Sequence, residues 1–471
     1  MNRTRLLLLA AMLSLVAPLG SGASSRSADA VPPGGLEGSF PLQAILRASD
    51  AQSSDALGQS VSISGNVAIV GAFGEDGGSG DPRLDAGAAY VFHRHRSGAS
   101  RWGQVKKLTA SDAESSDFFG NSVAVSGTFA VVGAHYEDAG PGDPAPSAGA
   151  AYVFQRDQGG TSNWGEVQKL IAPDAQPSDH FGKTVAISGD FAVVGAQHED
   201  GGPGDPLADA GAAYVFRNFA GFGWLHVKTL RASDAQAGDM FGHSVAISGD
   251  TVIVGANWEN GGSGDPVSHA GAAYIYRRDQ DGANNWGEVE KLVASEPDPN
   301  DEFGYSVGIS GKLAVVGAHM EDGGPGNPMG EAGAAYVFED LSGSGWTQIK
   351  RLAAADAVAG RHMGLSVAIS GGVIVAGVLR DDGGPGDPLP YAGAAYVFMR
   401  HLGGANSWGQ AKKIMAPDAG SYDEFGTAVA ISGKDAIFGA HLERGGPGDP
   451  ILGAGAAYIF YVSLLEAFKA N

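Results

Sequence analysis

The stretch from Trp164 to Phe216 is built of short apolar runs, none of them at helical spacing. Thr184-Val185-Ala186-Ile187-Ser188 alternates large and small side chains with a period of two, as a half-buried strand does. Gly189-Asp190 then supplies a two-residue turn, with glycine available for the positive φ that such a hairpin requires. The run from Phe191 to Ala196 reads as a buried strand of mostly small residues, and Ala212 to Phe216 as another. Trp164 to Leu170, with Glu166, Gln168 and Lys169 interleaved, reads as a partly exposed strand.

This pattern recurs along the chain. Gly-Ala-Ala-Tyr begins at Gly87, Gly149, Gly211, Gly271, Gly333, Gly393 and Gly455, at intervals of 62 or 60 residues. The glycine of a Phe-Gly-like pair falls at Gly58, Gly120, Gly182, Gly242, Gly304, Gly364 and Gly426, at the same intervals. Two markers in register over seven copies define a repeat protein. Four short strands per copy cannot bury both faces alone, so the copies must stack, and radial stacking closes a β-propeller. Six copies open with a tryptophan ten residues before an acidic residue, as in Trp102 and Asp112; Phe40 stands in the same relation to Asp50. The last copy ends after its third strand, near Tyr461-Val462. The expected fold is therefore all-β: a seven-bladed β-propeller of four-stranded antiparallel blades, its last blade completed by a strand within Phe40 to Ala48. Lys106, Lys169, Lys228, Lys291, Lys350 and Lys412 on the outer strands are read as guards against edge pairing.

The first residues read as an address. Arg3 and Arg5 precede an apolar run from Leu6 to Leu19, and Ser21-Gly22-Ala23 offers a cleavage site. Residues 1–23 are expected to be a signal peptide, with Ala30 as the later alternative for cleavage; 24–39 a linker; 40–462 one propeller; 463–471 a tail. The apolar run is too short for a spanning helix, and Pro18 interrupts it. Export to the periplasm, cell surface or medium follows, with no membrane span.

Composition narrows the function. With 52 Asp and Glu against 30 Lys and Arg, the net charge is −22, which disfavours nucleic acid as a partner. The chain has no Cys, which removes disulfides, thiolate metal sites and thiol nucleophiles. Its 75 glycines show no G-X-Y period, so collagen is excluded.

Phe181-Gly182 followed by Val194-Gly195-Ala196, repeated sevenfold, resembles the FG-GAP repeat of integrin α-subunit propellers and their bacterial relatives. The resemblance implies a seven-bladed propeller whose last blade is shared between the termini. It also implies extracellular adhesion or ligand binding, often with Ca²⁺. Two departures stand out. The proline of the motif is replaced by Phe73, His135, Gln197, Asn257, His319, Leu379 and His441. The family's calcium loop joins the first two strands of a blade, where this chain has only a turn such as Gly189-Asp190, too short to surround the ion.

In an up-and-down blade the connection between strands 2 and 3 shares a rim with the link from strand 4 to the next blade. Most of the carboxylates fall in those two kinds of segment, so that face is expected to be anionic. Turn chemistry and solubility account for much of this. Cation capture is the sharper alternative, with Glu137, Asp138, Asp143, Glu199, Asp200 and Asp205 as candidate ligands for Ca²⁺. Attraction of basic partners is a third. Beside the acidic pairs the copies disagree, carrying Tyr136, His198, Trp258, Met320 and Arg380, which are the candidate partner contacts. The sixth copy departs furthest, with Arg361 and Met363 in place of the usual Asp and Phe. No catalytic motif is present. The leading expectation is a secreted, non-enzymatic binding or adhesion propeller for an extracellular protein or glycan. The alternatives are a propeller hydrolase or lyase acting on a polymer, and a purely structural surface protein.

Overall fold

A computed structural model describes residues 40–76, 83–95, 101–139, 145–202, 204, 206–261, 267–324, 326, 328–341, 345–383, 388–404, 406–444 and 451–463. The signal-peptide and linker expectations over 1–39 lie outside these residues. Among the described residues every regular element is a strand, and no helix is long and apolar enough to cross a membrane.

The strands form seven four-stranded antiparallel sheets, in chain order within six of them. In the third blade, Thr184–Ser188 pairs with Phe191–Ala196 through a two-residue turn at Gly189, whose φ is +56°. Ala212–Phe219 follows, and Gly223–Leu230 forms the outer edge. The seventh sheet draws on both ends of the chain: Leu42–Leu46 lies antiparallel to Ala456–Tyr461, with Ala44 opposite Ile459. The innermost strands touch in sequence around the ring, and the last, Phe425–Ser432, meets the first, Ser60–Ser64.

The recurrent glycines are where blades meet. A Cβ on Gly133, in the second strand of its blade, would stand 2.0 Å from the carbonyl oxygen of Gly182 in the next blade. Gly182 itself has φ +89°, a conformation that side chains oppose. The same contact closes the ring, where a Cβ on Gly439 would meet the Gly58 oxygen at 1.9 Å. Hydroxyls stitch the same seam: Ser60 Oγ donates to the Gly120 carbonyl at 2.7 Å and Ser244 Oγ to that of Gly304 at 2.8 Å. The apolar clusters also straddle blades, as where Val131 and Val153 pack with Val194, Tyr214 and Trp224. No blade has a core of its own, which is why the ring must close.

The innermost strands surround a central channel. Val61, Val123, Val185, Val245, Val307, Val367 and Val429 form one tier of its wall, and larger aliphatics such as Ile63, Ile187 and Ile309 the next.

Candidate functional site

The repeated carboxylates are tied into the fold. Glu137 is buried and bonded to Lys169 Nζ, which also holds Asp112 at 2.7 Å; Asp112 accepts the Tyr152 hydroxyl at 2.7 Å. Arg231 holds Glu199 at 2.6 Å and Asp174 at 3.2 Å, and Lys291 holds Glu259 and Asp234, each at 2.6 Å. Arg47, on the segment after the N-terminal strand, completes the seventh cluster with Glu443 and Asp418. The ammonium or guanidinium thus stands beside the carboxylates in each of these blades. Lys169 and Lys291, expected to guard sheet edges, serve instead as these internal counter-charges.

The candidate metal ligands divide accordingly. Glu137 and Glu199 are the buried partners of Lys169 and Arg231. Asp138 and Asp200 accept backbone N–H groups nine residues on, from Ser147 and Asp209, at 2.8 and 2.9 Å, and so shape their loops. Asp143 and Asp205 lie outside the described residues. Among the described residues no group of three His, Asp or Glu side chains is arranged to hold a metal ion.

A further buried carboxylate precedes the Phe-Gly pair. Asp55, Asp117, Asp179, Asp239 and Asp301 each accept a backbone N–H three residues earlier. Burial pushes Asp301 up to about 7 and Asp117 to about 6, against the pull of that hydrogen bond. In the sixth blade Arg361 takes this place and donates to the fully buried Asp381 at 3.0 Å.

The five partner-contact candidates all lie on the expected rim. Tyr136 and Trp258 are 37% and 40% exposed. Trp258 stacks on His269 with ring centroids 5.4 Å apart. Tyr136 and His198 both pack edge-on against His180, each at 4.7 Å, so two blades contribute to one aromatic arc. Arg380 is exposed, lies 3.1 Å from His362 Nε2 and leans over the Tyr391 ring. Met320 is half-buried.

Inside this rim stands a ring that the disagreement beside the acidic pairs does not reveal. The residue after each Phe-Gly glycine immediately precedes the innermost strand, or in the last two blades lies within it, and lines the channel mouth: Gln59, Asn121, Lys183, His243, Tyr305, Leu365 and Thr427. No two are alike. They border a cavity of about 320 Å³. His243 and Tyr305 lie with ring centroids 4.7 Å apart. Burial lowers the Lys183 amine below its usual range, and among the described residues no acceptor meets its Nζ.

Hydrogen bonds orient His243 from a distance. Its Nδ1 lies 2.9 Å from Gln197 Oε1, an oxygen that can only accept, so Nδ1 carries the proton. Gln197 Nε2 donates to His198 Nε2 at 2.8 Å, and His198 Nδ1–H to Asp209 Oδ1 at 2.7 Å. The chain from rim carboxylate to channel mouth therefore leaves His243 Nε2 as an acceptor. Burial first, then the nearby Lys183, press His243 down to about 3, so it is neutral at pH 7. His135, His319 and His441, at the position of the missing proline, are likewise lowered by burial, to about 2, 3 and 4.

No curated protein matches the chain. The family model described as FG-GAP repeat matches seven times, over residues 40–92, 102–154, 164–216, 224–276, 286–338, 346–398 and 408–460. Each match takes the outer strand of one blade together with the first three strands of the next, so the first begins in the strand that closes the ring. Seven such matches cover most of the sequence and agree with the blades one for one: the chain belongs to the FG-GAP repeat family.

Proposed function

We propose that this propeller is an exported, non-enzymatic binding protein that engages an extracellular protein or glycan on the face bearing the 2–3 loops and the interblade links. The observation that supports it is confined variation. Seven near-identical blades carry different side chains at the channel mouth and along the rim, while the rest of each blade repeats. A partner that docks in one orientation on a pseudo-symmetric ring must read such differences. The exposed aromatics Tyr136 and Trp258 are its anchors, since large aromatic side chains supply much of the energy of interfaces. The carboxylates around them, once their internal pairs are set aside, still give the rim a negative field that favours a basic partner. Export rests on the leader-like first 23 residues.

The test is a glycan array and an exported-protein panel probed with the native protein and with Tyr136→Ala and Trp258→Ala. Each substitution is expected to weaken the selected interaction at least tenfold while the melting temperature stays unchanged. Undiminished affinity in both variants would move the interface elsewhere.

One observation favours a second reading, catalysis. The hydrogen-bonded line from Asp209 to His243 fixes a neutral imidazole with a bare Nε2 in a cavity. That arrangement is suited to orienting a substrate hydroxyl by hydrogen bond rather than to taking its proton, since burial and Lys183 press the ring down to about 3. Polymer cleavage that disappears in His243→Gln would establish it.

A further inference from the structure

Among the side chains that differ at the channel mouth, Lys183 has an environment unlike that of the paired lysines. Lys107, Lys169, Lys291 and Lys413 are each bonded to two carboxylates. Lys183 differs. It lines the cavity, and no carboxylate contributes to its environment; burial alone sets the state of its amine. The groups felt by its neighbours His135 and His243 are Lys183 itself and other histidines, so this is a basic spot at the centre of an acidic face. A half-buried ammonium with no carboxylate beside it is stabilised when a counter-ion arrives.

The surroundings define that counter-ion. One ammonium among neutral groups balances one negative charge, and neither an arginine nor a helix N-terminus stands in the ring to serve a dianion such as phosphate. His243 Nε2 offers an acceptor, so the ligand should bring a hydroxyl donor. Asn121 spends its Nδ2 on the Lys183 carbonyl at 3.2 Å, leaving Oδ1 as a second acceptor, while the Thr427 hydroxyl can serve either way. The tier of valines lines the cavity beneath the polar ring, and about 320 Å³ is at the small end of ligand sites.

We propose that the channel mouth binds one small hydroxylated carboxylate of the sugar-acid class, with Lys183 Nζ on the carboxylate and His243 Nε2 accepting from a hydroxyl. The source is either a free sugar acid or the end of an acidic glycan, which present the same groups. This site is separate from the rim interface, and either can fail without the other.

Calorimetry on the purified protein with D-glucuronate, D-glucose, inorganic phosphate and a glucuronate-terminated oligosaccharide tests it. Saturable binding of glucuronate at one per chain is expected, with glucose and phosphate at least tenfold weaker. Lys183→Met should lower the affinity for glucuronate and for the oligosaccharide at least tenfold; Lys183→Arg should retain most of it. An oligosaccharide that binds more tightly than the monosaccharide, still dependent on Lys183, identifies a glycan end as the source; equal affinities identify the free acid. Without ligand, Lys183→Met should melt above the native protein, because the unpaired charge is gone. If that variant does not fold, His243→Phe, expected to lose at least fivefold, decides. Tyr136→Ala and Trp258→Ala should bind glucuronate like the native protein. The proposal is overturned if neither glucuronate nor the oligosaccharide binds, if phosphate binds as well, or if Lys183→Met binds undiminished.

Discussion

At the scale of single residues, the acidic rim is a set of internal neutralisations before it is a surface. Lys169 stands between buried Glu137 and half-exposed Asp112, so removing its charge strands a carboxylate out of water. Lys169→Met is expected to cost about 3 kcal/mol in urea unfolding, the lower end for breaking a buried pair. Lys169→Arg should stay within about 1 kcal/mol of native, since arginine fills the equivalent place at Arg231 and Arg351. The buried aspartates make a second prediction. Asp301 titrates near 7 when folded and near 4 when unfolded, so its contribution to stability is complete below about pH 4 and lost as pH rises through 7. Asp301→Asn lacks that titration, and its melting temperature relative to native should rise between pH 5 and pH 8; a parallel pair of curves would refute the assignment. The comparison needs a variant because the histidines act oppositely. His135, His243 and His319 resist protonation when folded, so their contribution is full above about pH 6.5 and falls away in acid.

At the scale of strands and turns, the repeat markers report backbone constraints. Gly182 and Gly189 both adopt positive φ, yet they differ in surroundings. A Cβ on Gly182 would lie 2.2 Å from the Ala150 carbonyl oxygen, whereas one on Gly189 meets nothing within 4 Å. Gly189→Ala should therefore cost about 1 to 2 kcal/mol, the left-handed backbone penalty alone. Gly182→Ala adds a collision across the blade seam and should exceed about 3 kcal/mol by thermal or urea unfolding. The same contrast explains what could be read from the chain. A position where neighbouring backbones touch admits only glycine in every copy, so it repeats and shows itself, and the blade count and closing strand follow from it. The pairing of Glu137 with Lys169 does not show itself, because it depends on the path by which the loop after Phe129–Ala134 brings Glu137 to the outer strand of the same blade, two strands away. The channel-mouth residues sit beside an invariant glycine and differ in all seven copies, a visible signal. Their meaning was hidden because alternation alone does not tell the innermost strand, whose side chains enter a channel, from the outermost.

At the scale of the molecule, closure turns seven repeats into one site. Every blade interface is made by a glycine pair and by apolar side chains from both partners, and the last is made only if the N-terminal strand lies on the C-terminal sheet. Without that seam the Gln59 and Thr427 sides of the channel mouth would not meet, and neither the rim nor the proposed carboxylate pocket would be complete. The absence of native cysteine makes the seam directly measurable. Ala44 and Ile459 are opposite one another on antiparallel strands, where Cα atoms lie about 4.5 to 5.5 Å apart, within the span of a disulfide. In the Ala44→Cys, Ile459→Cys double variant the account predicts rapid, complete oxidation to an intramolecular disulfide and a melting temperature above that of the reduced form. Thiols that stay free in the folded protein, or that link separate molecules, would contradict the closed ring and the site built on it.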